Sequence, residues 1–322
     1  MRARLELLNK DELELIHNGT LEVMEKTGIL VDSADARNLL KKSGCTVDEK
    51  TKMVKFPANL VESAIKTSPN EFTQHSRNGE FDLKMVSDGS LVHYQTFGVG
   101  TRMTDYVSPG NYNMRNSTLE DLKNICTVTE ACDGIDWFCS PVSAMDLAGK
   151  AVSRNVREFD AILSSSSKPV MLDPVAENMI DYFDIMKICY GGDEEMALKK
   201  PFIAPVMCPA SPLQLDKCLC DVVLEAVKYS MPLSILSMAM SSATSPVFSA
   251  GSLVTHNAEV LAGITLAQVA NPGNPMYYSS STTAFDPRTG TAPVGSPELG
   301  VLSAAVAQLS QYYKIPTIVA GT

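Results

Sequence analysis

No stretch of the 322-residue sequence approaches the about 18 consecutive apolar residues of a membrane-spanning helix, and the opening MRARLELLNKDELELI lacks the apolar run of a secretory signal. Basic charge is also short. Lys and Arg number 27 against 37 Asp and Glu, a formal charge of −10. Nucleic acid would need a basic face for affinity, so neither a nucleic-acid nor a membrane partner is expected. An acidic surface does tolerate a cationic substrate. There is no disulfide framework, because Cys45, Cys126, Cys132, Cys139, Cys189, Cys208, Cys218 and Cys220 are scattered through a chain of ordinary size. They read as buried thiols of a reducing, cytoplasmic compartment. No G-x-G-x-x-G turn follows a strand, Gly98-x-Gly100 being too slight a signal, and no G-x-S-x-G selects a serine nucleophile.

What is present is apolar material, 45% of residues, enough for a large core: two domains, or one large α/β barrel with an appendage. The spacing predicts a helix over 11–27 stopping at Gly28, a second over 33–43 with Ser33 as N-cap, and a third after Pro57. Residues 71–115 change character. Asn78-Gly79 and Asp88-Gly89 are hairpin turns, LVHYQTF (91–97) is the best strand, and a small antiparallel sheet is expected. Ser117-Thr118-Leu119-Glu120 reads as a capping box opening a helix to about Cys132.

From there strands alternate with helices. Strand 135–142 precedes helix 147–163, 168–172 precedes 176–191, 202–207 precedes 212–229, 232–238 precedes 250–270, and 275–280 precedes 297–313; strand 315–320 comes last. This regular alternation favours an α/β fold of the (β/α)8 TIM-barrel type over a doubly wound sheet. A barrel takes eight strands and about 250 residues. Six strands fit, so the barrel is expected to be cut after about six strands, with a helical and antiparallel extension at 1–116 and the barrel domain at 117–322.

SMAMSSATSPVFSAGSLVTHNAEVLAGITLAQ (237–268) and YYSSSTTAFDPRTGTAPVGSPELGVLSAAVAQLSQYYKIPTIVAG (277–321) resemble the trimethylamine methyltransferase family. DPVAENMIDYFDI (173–185), YGGDEE (190–195), CPASPLQL (208–215), FCSPVSAMD (138–146) and HYQTFGVG (93–100) extend the resemblance to the whole chain. It implies a TIM barrel with an N-terminal extension. It also implies methyl transfer from trimethylamine to the Co(I) corrinoid of a partner corrinoid protein, releasing dimethylamine, with no cofactor held directly and a homo-oligomeric state. Trimethylamine-specific members carry pyrrolysine near the end of the sixth strand, matching Val319 to Thr322 here. An amber codon is therefore expected after Thr322, which would make Thr322 the neighbour of the catalytic residue. Relatives without pyrrolysine that demethylate glycine betaine, and a short chain serving only in binding, are the alternatives.

Within that resemblance, candidate residues lie after the barrel strands. His256 and Glu259 are three apart and share a helical face, either reaching the cavity as polar or acid/base groups or bonding a helix start onto strand ends. One His-x-x-Glu lacks the further ligands of a metal site. Ser280 to Thr283 open a loop running to the Ser296-Pro297-Glu298 helix start, with Ser280 and Thr282 as substrate contacts. Asp286 and Arg288 fit a turn, an ion pair or a substrate contact. Met238 would line a methyl pocket, and Tyr94 and Phe97 one wall of an ammonium cage or plain sheet packing. Asp173, with Asp146, would supply cavity charge. Cys218 and Cys220 point apart and read as core thiols. No strand ends in a lysine that would serve a Schiff base.

Overall fold

The computed structural model describes residues 5–147 and 151–321. It divides into two compact units, one of residues 1–72, 85–90 and 206–322, the other of 73–84 and 91–205. The division falls inside the strand Ile203–Met207.

In the first unit four strand segments run parallel. Val206 faces Ser234 of strand Leu233–Ser237. That strand pairs with Met276–Ser280 from Leu233↔Met276 to Ser237↔Ser280, which pairs in turn with Thr317–Val319. Parallel neighbours need long crossovers, here the helices Ser249–Ala270 and Pro297–Tyr313. The first of these is apolar around its whole circumference, and sixteen of its residues are buried. A helix of this kind has to be covered on every side. Strands Leu233–Ser237 and Met276–Ser280 cover one face; helices Lys10–Glu22, Ala34–Lys42 and Ala58–Thr67, together with the neighbouring Lys217–Ala226 and Pro297–Tyr313, cover the rest. The N-terminal helices thus complete the burial of a crossover helix that a bare sheet would leave half wet. Strand Ile29–Val31 pairs antiparallel with Met53–Lys55 and parallel with Gln214–Leu215.

In the second unit Phe138–Cys139 pairs in parallel with Val170–Leu172, which pairs with Ile203 to Pro205. Helices Leu119–Ala131, Ala151–Ser165, Met179–Cys189 and Glu194–Lys199 accompany them. Buried Lys168 donates to the carbonyls of Thr129, Cys132 and Ile135 at 2.7–2.9 Å, closing the end of the Leu119–Ala131 helix. A hairpin joins Arg102–Ser108 to Asn111–Asn116 through Pro109-Gly110. Each unit has the β/α order of a TIM barrel. Among the described residues no helix is long and apolar enough to cross a membrane.

Several local expectations are corrected. LVHYQTF is not a strand; Gln95 makes an isolated bridge to Trp137, while Leu91, Val92, Tyr94 and Phe97 are exposed. The capping box lies one residue later. Thr118 accepts from Asp121 N–H and Asp121 from Thr118 N–H, whereas Ser117 donates to the Ser143 carbonyl at 2.6 Å. The 135–142 strand contracts to Phe138–Cys139, and the 212–229 helix gives up its start to the Gln214–Leu215 strand. Helix Glu194–Lys199, capped by Asp193, is too short to show a periodicity.

Close packing of the crossover helix generates a prediction. A Cβ added at Gly263 would fall 2.8 Å from Ile235 Cγ2 and 3.0 Å from its Cγ1, whereas one added at Gly300 meets nothing within 4 Å. Overpacking costs about 1–3 kcal/mol and alanine regains about 1 over glycine in a helix. In urea denaturation Gly263→Ala should therefore lose stability and Gly300→Ala gain up to about 1 kcal/mol. Changes of the same sign at both positions would contradict the packing described.

Candidate active site

Within the first unit, the C-terminal ends of strands Leu233–Ser237 and Met276–Ser280 meet the first half of helix Ser249–Ala270. In TIM barrels this end of the strands carries the chemistry. The surroundings are rich in hydroxyls and poor in charge. Ser234, Ser237, Ser241, Ser279, Ser280, Ser281, Thr282 and Thr283 are all buried. No Asp, Glu, Lys or Arg occurs from Tyr229 to Ala258.

Glu259 ends that uncharged run and is fully buried. One carboxyl oxygen accepts from Ser237 Oγ at 2.6 Å and Ser211 Oγ at 2.8 Å, the other from Leu213 N–H at 2.9 Å. Its hydrogen-bond partners are two hydroxyls and an amide, with no cation among them. Burial pushes its pKa above the ordinary glutamate value, and the three donors oppose the rise. The carboxyl also holds Leu213 in a left-handed conformation, φ +57°, that a β-carbon disfavours. Ser211 to Leu213 follow the third barrel strand, so Glu259 fastens that loop to the end of the fourth.

His256 lies one turn earlier on the same face. Its Nδ1 is 3.1 Å from Thr282 Oγ1, and that hydroxyl donates to the Ser237 carbonyl at 3.4 Å. Thr282 is therefore the acceptor for His256, which assigns the Nδ1–H tautomer and leaves an acceptor lone pair on Nε2. That Nε2 is buried with no hydrogen-bond partner. The ring sits edge-on to Tyr278 at 5.3 Å, and burial holds its pKa down to about 3, so it is neutral at pH 7. A buried unsatisfied acceptor costs about 1–3 kcal/mol.

Asn257 turns to the other side of the helix. Its amide donates to Thr20 Oγ1 at 2.9 Å and Tyr313 OH at 2.7 Å, and its carbonyl accepts from Tyr278 OH at 2.8 Å. Tyr313 OH is 3.2 Å from His17 Nδ1. Three elements are thereby tied to the site helix, Lys10–Glu22, Met276–Ser280 and Pro297–Tyr313. Sequence reading singled out neither Asn257 nor Ser211, Ser237, Tyr278 and Tyr313. The available signal was serine at core-facing strand positions and asparagine in an otherwise apolar helix.

Of the sequence candidates, His256 and Thr282 are brought together. Ser280 Oγ accepts from Thr282 N–H at 3.0 Å, and Ser280 O from Ala320 N–H at 2.9 Å. Ser280 is the last strand residue, and Thr283–Ala284 pairs with Met240–Ser241, so the expected loop begins with a short strand. Met238 is half-exposed. Asp286 pairs with Arg288 at 3.2 Å. Tyr94, Phe97 and Asp173 belong to the second unit and are exposed, Tyr94 by 65% and Phe97 by 56%, so neither ring is packed within a sheet. Cys218, expected in the core, is exposed, whereas Cys220 is buried. Thr322 lies outside the described residues. No group of three or more His, Cys, Asp or Glu among the described residues is placed to hold a metal ion.

A family model described as trimethylamine methyltransferase matches residues 1–322. The trimethylamine methyltransferase of Methanosarcina thermophila is 44% identical over 320 residues, 99% of this chain and 66% of that protein. That of Methanosarcina barkeri strain Fusaro is 46% identical over 321 residues, 99% of this chain and 64% of that protein. The glycine betaine methyltransferase of Desulfitobacterium hafniense strain Y51 is 29% identical over 97% of this chain and 63% of that protein. The chain thus spans slightly less than two thirds of the length of these relatives. The Methanosarcina barkeri monomethylamine methyltransferase structure superposes with a TM-score of 0.54 at 12% identity, covering 95% of this chain and 66% of that one, a likeness of fold.

Burial of a neutral His256 has a consequence for stability. Its folded pKa lies below the unfolded value of 6.5, so the unfolded chain takes up the proton first and stability is lost as pH falls below 6.5. At about 1.4 kcal/mol per unit, the loss from pH 7 to 5 is about 2 kcal/mol. Glu259 and Glu158, with raised pKa values, act in the opposite sense. His256→Asn should remove about 2 kcal/mol of the pH 7 to 5 decline in urea-denaturation stability; an unchanged slope would contradict the buried neutral ring.

Proposed function

The chain belongs to the trimethylamine methyltransferase family, and from that premise we propose that it is the methyl-abstracting component of a trimethylamine-to-corrinoid methyl transfer. The methyl acceptor is the Co(I) corrinoid of a separate partner protein, and the product is dimethylamine. The match over the whole chain carries this reading, and the chemistry of the strand ends supports it.

An amine nitrogen leaves a methyl group readily only while cationic. In the transfer the N–CH3 bond breaks, its electron pair stays on nitrogen, and the Co(I) pair forms the new Co–C bond. Trimethylammonium needs a site that favours positive charge and does not remove its proton. Glu259 supplies a buried carboxyl without a cationic partner, so an arriving ammonium selects its ionised form. His256, with a pKa held to about 3, accepts a hydrogen bond at Nε2 without capturing the proton. A tertiary ammonium carries one N–H and a quaternary one none, so the open acceptor favours trimethylamine over glycine betaine. Met238, Ser280 and Thr282, of the same unit as Glu259, are retained as candidate contacts of the amine. None of the eight cysteines forms a disulfide, which fits a reducing cytoplasm.

The test mixes natively expressed protein with its Co(I) corrinoid protein and trimethylamine, following methyl-Co(III) by absorbance and dimethylamine by chromatography. Stoichiometric formation of both is expected; methylation from glycine betaine with trimethylamine inert would overturn the reading. Glu259→Gln should lower kcat/KM for trimethylamine by about 10–100-fold, the worth of one charged hydrogen-bond partner.

A further inference from the structure

A second cavity of the first unit lies where two helices end. Its volume is ≈ 740 Å³, and its lining includes His17, Glu62, Lys66, Asn70, Tyr312 and Lys314. Lys66 stands in the last turn of helix Ala58–Thr67, and Lys314 caps the end of Pro297–Tyr313. Pro297–Tyr313 runs from the chemical end of the barrel strands to the opposite one, so this cleft is distinct from the Glu259 site.

Lys66, Asn70, Tyr312 and Lys314 are exposed on the walls of the cleft. Neither Lys66 nor Lys314 forms an ion pair among the described residues, in a chain whose net charge is −10. The side-chain amide of Asn70 and the phenol of Tyr312 are likewise without a hydrogen-bond partner there. His17 Nδ1 lies 3.2 Å from Tyr313 OH, which also accepts from the Asn257 amide at 2.7 Å. Glu62 is the one acidic residue of the lining.

Both lysines also stand at helix C-termini, where cations meet the last carbonyls. Lys314 is left-handed at φ +58°, in the position after a helix where glycine is usual. A β-carbon there costs about 1 kcal/mol or more, yet the position keeps a long cationic side chain. Tyr312, 37% exposed, offers an open ring beside it, edge-on to Tyr313 at 5.3 Å.

We propose that this cleft is a binding site for a small oxyanion, a carboxylate or phosphate, carried on a flat ring. Lys66 and Lys314 hold the oxyanion, the Asn70 amide orients it, and Tyr312 takes the ring. Two lysines against one glutamate disfavour a cation in the same place. The site is independent of the methyl-transfer reading.

Calorimetric titration of the native protein with inorganic phosphate and with benzoate, at low ionic strength, tests the proposal. Both probes should bind with millimolar or tighter affinity. Lys66→Gln with Lys314→Gln should weaken both at least tenfold. Lys41→Gln with Lys42→Gln, which removes the same charge from helix Ala34–Lys42, should leave both unchanged, and Tyr312→Ala should weaken benzoate more than phosphate. Thermal melts of each variant establish that it is folded. Absence of binding by either probe, equal weakening by the two lysine pairs, or a Tyr312 variant that treats the probes alike would overturn the proposal. Since neither probe is a methyl donor, the result is separate from that of the transfer assay.

Discussion

From Thr255 to Gln268 the Ser249–Ala270 helix is buried without a break, and much of this structure answers that constraint. A crossover helix of an ordinary barrel lays one stripe on the sheet and leaves the other wet. Here the N-terminal helices close over the second side, so every polar group on the helix must be satisfied by protein. Asn257 is, through Thr20, Tyr278 and Tyr313. Gln268 is, through Gly273 N–H and the Asn274 carbonyl. His256 Nε2 is not. Among the described buried polar groups of this helix, His256 Nε2 is the exception.

The same constraint gives Glu259 its character. A surface carboxylate keeps its charge by hydration; this one has two hydroxyls, one amide and low-dielectric surroundings. Burial raises its pKa while the three donors oppose the rise, and a cation nearby would favour the ionised form. The donors also place the carboxyl, because Ser211 and Leu213 come from the loop after one strand and Ser237 ends the next. Structural and electrostatic roles coincide in one side chain.

Much of the fold was legible in the sequence because it rests on periodicity. The Pro297–Tyr313 helix was read to the residue from its Ser-Pro start, and Ser249–Ala270 to within one. Elements stabilised by distant partners were not legible. Gln214–Leu215 reads locally as helix but pairs with Ile29–Val31, far off in sequence. LVHYQTF has strand composition without a partner strand. In the site, His256 and Glu259 were visible as a helical pair, since spacing alone puts them on one face. Ser211, Ser237 and Tyr313 were not, because each joins through tertiary contact across 22 to 56 residues of chain. Serines in a serine-rich sequence carry no mark of which ones a buried carboxylate will use.

The account turns on a carboxyl whose ionisation waits for a cation. Calorimetry of trimethylammonium binding in buffers of different ionisation enthalpy counts protons released per amine bound, and the amine itself is already protonated below pH 8. Release should grow as pH falls from 8 to 5, as more Glu259 starts protonated, and it should vanish in Glu259→Gln. Binding without proton release across that range, or release untouched by the substitution, would show that Glu259 is not the charge the substrate meets.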